Sequence, residues 1–139
     1  NAGVVAEEAG HTATSTRANS EWHGTGDSGL LDEQGRLWLL GRSAARITDG
    51  FGTVYPFQVE CTALEFPGVR RAALVSCDRR RILAVEPQGT LDMPALQASL
   101  SKAHVDAIRI LPRLPVDKRH NSKIDYPALH RMVRRLDRD

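Results

Sequence analysis

Aromatic side chains are scarce in this 139-residue chain, which holds three Phe, two Trp and two Tyr. Recognition of single-stranded nucleic acid by base stacking calls for exposed rings beside basic residues, and most of these rings read as core or turn positions. Cysteine is scarcer still: Cys61 and Cys77 lie far apart with no C-x-x-C, which excludes a disulfide framework or a cysteine zinc site. No apolar run is long enough to span a membrane and no charged-then-apolar leader is visible, so a reducing cytoplasm is the expected compartment. A phosphate loop of the form G-x-x-x-x-G-K-[ST] is missing too. Charge is nearly balanced, +2 on 26% charged residues, which describes a mixed surface and gives no reason to expect nucleic acid as a partner. On this view Arg79-Arg80-Arg81 and Arg134-Arg135 are solvated surface.

What is present suits one domain with a real core, since 41% of residues are hydrophobic and a chain near this size buries about two-thirds of its unfolded surface. The first 21 residues hold almost no large apolar side chains, so a flexible lead-in is expected there. The start at Asn1-Ala2, without Met, suggests an excised piece of a longer polypeptide. Leu30-Leu31 and Leu37 to Leu40 flank Asp32-Glu33-Gln34-Gly35, the pattern of a β-hairpin. A strand follows over Ala45 to Thr48, then the loop Asp49-Gly50-Phe51-Gly52-Thr53. Tyr55-Pro56 opens a helix that runs to about Phe66 and stops at Pro67-Gly68. Strands are expected at Val69 to Cys77 and Arg81 to Glu86, and Ile108 and Ile110 alternate as in a half-buried strand. Asp92 caps a helix ending near Ala103, with Leu96 and Leu100 on one face. Asp125 caps the last helix, whose Leu129, Met132, Val133 and Leu136 form an apolar stripe. The fold class is α+β: a small mixed sheet packed with about three helices, preceded by a β-hairpin.

Gly24-Thr25-Gly26-Asp27-Ser28-Gly29 matches G-x-G-x-x-G letter for letter, yet it opens a hairpin and not a helix, which fails the dinucleotide context. A carboxylate inside such a loop repels pyrophosphate but can accept from the two hydroxyls of a ribose. Near the other end, Leu114-Pro115-Val116-Asp117-Lys118-Arg119-His120-Asn121-Ser122-Lys123-Ile124-Asp125 reads as a positioned cationic loop. Lys123 is a flexible point charge suited to phosphate oxygens, or else a solvent-facing lysine before a helix.

Taken in order, Thr25-Gly26-Asp27, Gly41-Arg42, the segment Asp49 to Glu60 and the Lys123 loop resemble the closing motifs of the acyl-adenylate-forming enzymes. That superfamily includes acyl-CoA synthetases, peptide-synthetase adenylation domains and luciferases. The resemblance covers roughly Trp22 to Leu129, and the segments GTVYP and PVDKRHNSKID look closer to the synthetases of bacterial long-chain olefin biosynthesis, which close a 3-hydroxy acid to a β-lactone. It departs from the family pattern at five places. Ala44 stands at the usual hinge aspartate, Thr48 at a common lysine, Thr53 or a neighbour at a common arginine, Ser122 at the glycine before the lysine, and Val116-Asp117 at the usual lysine-threonine.

The resemblance implies residues 22–42 as the terminal hairpin of an N-terminal adenylation domain with its hinge, and residues 43–139 as a C-terminal cap domain. It implies Lys123 as the mobile catalytic lysine, Asp27 and Arg42 as nucleotide-binding residues, and Ala44 as the pivot. Gly50 and Gly52 would lie on a loop that helps form the acceptor channel, or on a plain loop. Glu60 matches the last Glu of the family's E-x-E, or simply anchors its helix. His120 and Asn121 order the lysine loop or fill a turn. The implied whole enzyme uses ATP and magnesium, bound mainly by the missing domain, to convert a small carboxylic acid to acyl-AMP, then passes the acyl group to CoA, a phosphopantetheine thiol or another nucleophile. No metal ligand is expected in this chain, which alone should be inactive. The competing reading is a non-catalytic interaction module or a small basic α+β domain for RNA.

Overall fold

The computed structural model describes residues 26–119 and 122–138. The expected lead-in, Trp22, Gly24, Thr25, His120 and Asn121 lie outside these described residues. The chain divides into two compact units, one ending at Arg46 and the other running from Ile47 onward.

The first unit contains two antiparallel strands, β1 (Asp27–Leu31) and β2 (Leu37–Arg42), followed by a 3-10 turn at Ser43–Ala45. Asp32 builds the connection. Its carboxylate accepts the N–H groups of Gln34 and Arg36, both at 2.9 Å, and the Trp38 indole N–H at 2.9 Å. The Trp38 bond, joined by those from Arg36 and Gln34, holds the Asp32 carboxyl below its ordinary value. Two strands cannot make a core, and Leu37 and Leu39 stay 73% and 55% exposed.

The second unit begins with a short hairpin, β3 (Ile47–Asp49) and β4 (Gly52–Val54), and helix α1 (Pro56–Leu64). The strand predicted from Ala45 starts two residues later because the 3-10 turn takes Ala45. Strands β5 (Val69–Cys77) and β6 (Arg80–Pro87) pair antiparallel, and β7 (Ala107–Ile110) joins β6 in parallel, giving a mixed sheet in the order β5-β6-β7. Helix α2 (Met93–Ser99) lies in the crossover, capped by Asp92, whose carboxylate accepts from Ala95 N–H at 3.1 Å. Helix α3 (Tyr126–Leu136) closes the domain, capped by Asp125 through Ala128 N–H at 2.9 Å. The α+β class is as expected.

Both faces of the sheet are covered, which is why β5 and β6 read as nearly continuous apolar runs. Ala72, Leu74, Leu83 and Val85 point to a first core with Val59, Ala63, Leu96 and Leu100. Ala73, Val75, Ile82 and Ala84 point to a second core with Leu111, Leu114, Leu129 and Val133. The stripe predicted on α3 is only half buried: Leu129 and Val133 are fully covered, while Met132 and Leu136 remain exposed at its flank. Among the described residues, the buried members of both cores are non-aromatic, while Phe66 packs partly buried against the first core and Phe51 lies at the β3–β4 turn.

Three residues with positive φ mark where local conformation governs the fold. Gly68 has φ +89°, and a Cβ there would lie 2.2 Å from the carbonyl oxygen of Thr90. Asp78 and Arg79 form the two-residue turn between β5 and β6 at φ 48° and 63°, a conformation that costs an L-residue about 1–2 kcal/mol. Gly68→Ala is therefore expected to lower stability by about 2 kcal/mol or more, and Arg79→Gly to raise it by about 1 kcal/mol. Urea midpoints moving in these opposite directions at unchanged slope check both assignments.

Candidate active site

In the first unit Asp27 and Arg42 face each other in register across the hairpin. Arg42 Nε lies 3.3 Å from Asp27 Oδ1, so the pair forms a half-exposed ionic step at the strand ends. Gly26 N-terminal to it adopts φ +75° and its carbonyl accepts the Ser43 N–H at 3.0 Å. Ser28 and Ser43 hydroxyls meet at 2.6 Å. Ala44 sits exposed in the 3-10 turn, two residues before the boundary between the units.

In the second unit Gly50 and Gly52 occupy the tip of the β3–β4 hairpin, with open space where a Cβ would stand at either. The tip is held by a residue that composition had suggested was solvated. Arg81 is 2% exposed. Its guanidinium donates to both carboxylate oxygens of Asp49 at 2.7 Å, to Gly52 O at 2.9 Å and to Ala103 O at 2.7 Å. The bond from Arg81 keeps the Asp49 carboxyl below its ordinary value, helped by the Phe51 N–H. Phe51, 62% exposed, stacks on His104 with ring centroids 4.6 Å apart. Strand parity was the available signal for Arg81, because it alternates with Leu83 and Val85 on the first-core face.

Lys123 is exposed on a loop closed by a short antiparallel bridge. Val116 pairs with Ile124, Asp117 N–H donates to Lys123 O at 2.8 Å and Asp125 N–H donates to Pro115 O at 2.9 Å. The root of this loop rests on Glu86, a carboxylate only 1% exposed that the sequence reading treated merely as a strand end. Glu86 accepts from Leu114 N–H at 2.8 Å and pairs with Arg71 at 3.3 Å and Arg70 at 3.4 Å. Burial pushes its carboxyl upward, but the Leu114 N–H and the two arginines outweigh that and leave it below the ordinary value. Leu114 and Ile124 belong to the second core, whereas Val54 and Ile47 of the glycine hairpin belong to the first. The lysine loop and the glycine loop are thus rooted on opposite faces of one sheet.

Glu60 anchors more than its own helix. Its Oε1 accepts the N–H of Leu74, on the outer edge of β5, at 3.0 Å and the Tyr126 hydroxyl at 2.5 Å. His130 meets Ser76 O on the same strand at 3.0 Å. These contacts occupy the edge of β5, which would otherwise invite pairing with another chain. Among the described residues, no group of three or more His, Cys, Asp or Glu comes together to hold a metal, and no helix is long and apolar enough to cross a membrane.

No protein-family model matches the chain. The olefin beta-lactone synthetase of Stenotrophomonas maltophilia (strain K279a) is 40% identical over 121 residues, covering 77% of this chain and 22% of that protein. The chloroplastic/peroxisomal 2-succinylbenzoate–CoA ligase of Arabidopsis thaliana is 46% identical over 71 residues, 51% of this chain and 12% of the ligase. The chain belongs to the AMP-forming ligase superfamily. The fold agrees: the O-succinylbenzoate coenzyme A synthetase of Bacillus subtilis, solved in complex with AMP, superposes with a TM-score of 0.66 at 23% identity, covering 89% of this chain and 26% of that one. The chain spans about a fifth of the length of the first of these superfamily members.

Burial pushes the Glu60 carboxyl above its ordinary value against the two hydrogen bonds it accepts, and also raises the Tyr126 hydroxyl. A carboxyl raised by folding contributes stability that is complete below its unfolded value and is lost as pH rises through the folded one. Glu60→Gln keeps the acceptor for Leu74 and Tyr126 and removes that loss. The variant is expected to gain on the wild type as pH rises from about 4 to about 7, read as urea midpoints at the two pH values.

Proposed function

We propose that this chain is the C-terminal cap domain of an acid-activating, AMP-forming ligase, preceded by the last hairpin of the adenylation domain. The observation that carries the reading is the rooting of the Lys123 loop and the Gly50–Gly52 loop on opposite faces of one sheet. One face serves adenylation and the other serves acyl transfer, with Ala44 as the pivot. Asp27 accepts from the ribose hydroxyls of the nucleotide, and Arg42 orients that carboxylate. ATP and magnesium are held mainly by the preceding domain, and magnesium shields phosphate charge there.

In the first step a carboxylate oxygen of the acid attacks the α-phosphorus, the bond to the bridging oxygen breaks, and pyrophosphate leaves. Negative charge builds on the nonbridging oxygens, where the Lys123 ammonium stabilises it. In the second step a nucleophile attacks the acyl carbonyl and AMP leaves. The nucleophile is the thiol of CoA or of a carrier, or a hydroxyl of the acid itself, as the likeness to olefin beta-lactone synthetase suggests.

In the complete polypeptide, Lys123→Ala is expected to slow acid-dependent pyrophosphate–ATP exchange by about 100-fold or more. Consumption of a chemically supplied acyl-adenylate stays near the wild-type rate, and Lys118→Ala changes little. Long-chain 3-hydroxy acids and 2-succinylbenzoate, each with and without CoA, are the first substrates to try. Equal loss of both half-reactions in folded Lys123→Ala, or a requirement for Lys118 instead, would contradict the assignment.

A further inference from the structure

We infer that Arg81 is a positioning residue for the second half-reaction, fixing the tip of the Gly50–Gly52 loop in the shape that meets the acyl acceptor. The inference rests on the ligase reading above and extends it to a residue outside the superfamily motifs quoted for this chain.

Ile47 and Val54 already tie the stem of the β3–β4 hairpin to the first core. The bonds from Arg81 fall elsewhere, on Asp49 and Gly52, the pair that closes the tip. Asp49 in turn accepts the Phe51 N–H at 2.9 Å, which fixes the residue between the two glycines. Phe51 then packs on His104, and the Arg81 guanidinium lies 5.9 Å from the centre of its ring. Two glycines in four residues would leave an exposed loop with a large ordering cost on each encounter with a ligand. A fully engaged guanidinium removes that cost in advance, because its planar fork sets both direction and distance. Arg81 is itself held from behind, where its backbone N–H donates to Asp106 Oδ2 at 2.7 Å and its carbonyl accepts the Asp106 N–H at 2.8 Å. The tip therefore takes its position from the central strand of the sheet, and its outer surface is bare backbone flanking one exposed ring.

Arg81→Lys keeps the charge and loses the fork. In the complete polypeptide, pyrophosphate–ATP exchange with a long-chain 3-hydroxy acid or with 2-succinylbenzoate is expected to stay within about twofold of wild type. AMP release in single turnover from the enzyme-bound adenylate, without added acceptor for the hydroxy acid and with CoA for 2-succinylbenzoate, slows about tenfold or more. Amide hydrogen exchange at Phe51 and Gly52 accelerates by a similar factor, about tenfold, while the β5 and β6 amides keep their protection. Phe51→Ala, at an exposed position, gives the same split between half-reactions should Arg81→Lys fail to fold. Equal loss of both half-reactions in a folded variant, or unchanged exchange at the tip, overturns the positioning role alone. If the unmodified polypeptide shows no acid-dependent exchange with either acid, the ligase reading falls and the positioning role falls with it.

Discussion

Strand β6 carries a buried charge at each end, and the placement of both candidate loops follows from the need to pair those charges. A buried ion left alone costs far more than a paired one, so the chain cannot bury Arg81 or Glu86 without bringing a partner to each. Arg81 lies on the face of Leu83 and Val85 and draws in Asp49 with the glycine hairpin. Glu86 lies on the face of Ile82 and Ala84 and draws in Arg71 and the Leu114 N–H, where the lysine loop begins. Alternation along one strand thus sends the two loops to opposite faces.

Much of this was legible from residues alone. Asp92 and Asp125, each two residues before a proline, announced the starts of α2 and α3, and the apolar run at Ala72 to Val75 with the segment Arg81 to Glu86 announced β5 and β6. The ordered motifs singled out Asp27 and Arg42, and the pairing of the two across the hairpin came only with the structure. What was not legible were the charges that solvate inside the protein. Arg81 sits in a run of three arginines whose composition reads as surface, and only the alternation with Leu83 and Val85 sets it apart. Glu60 reads as a motif residue or a helix anchor, and its bonds to Leu74 and Tyr126 span 14 and 66 residues of sequence. Contacts that distant leave no local pattern.

The first unit shows the converse. Its hairpin is well ordered by Asp32, yet Leu37, Trp38 and Leu39 remain exposed because two strands offer nothing to cover them. An apolar surface of this kind suits a strand pair that completes a larger domain, in keeping with the proposed adenylation domain of the same polypeptide. The second unit carries two cores of its own.

In the proposed function, the complete polypeptide activates an acid by joining its carboxylate to the α-phosphorus of ATP. Isotope transfer tests this without any variant. With a long-chain 3-hydroxy acid or 2-succinylbenzoate labelled with oxygen-18 in the carboxylate that reacts, the account predicts AMP carrying one labelled oxygen in its phosphoryl group, with unlabelled pyrophosphate. Label appearing in orthophosphate alongside ADP would mean attack at the γ-phosphorus, and would contradict the account.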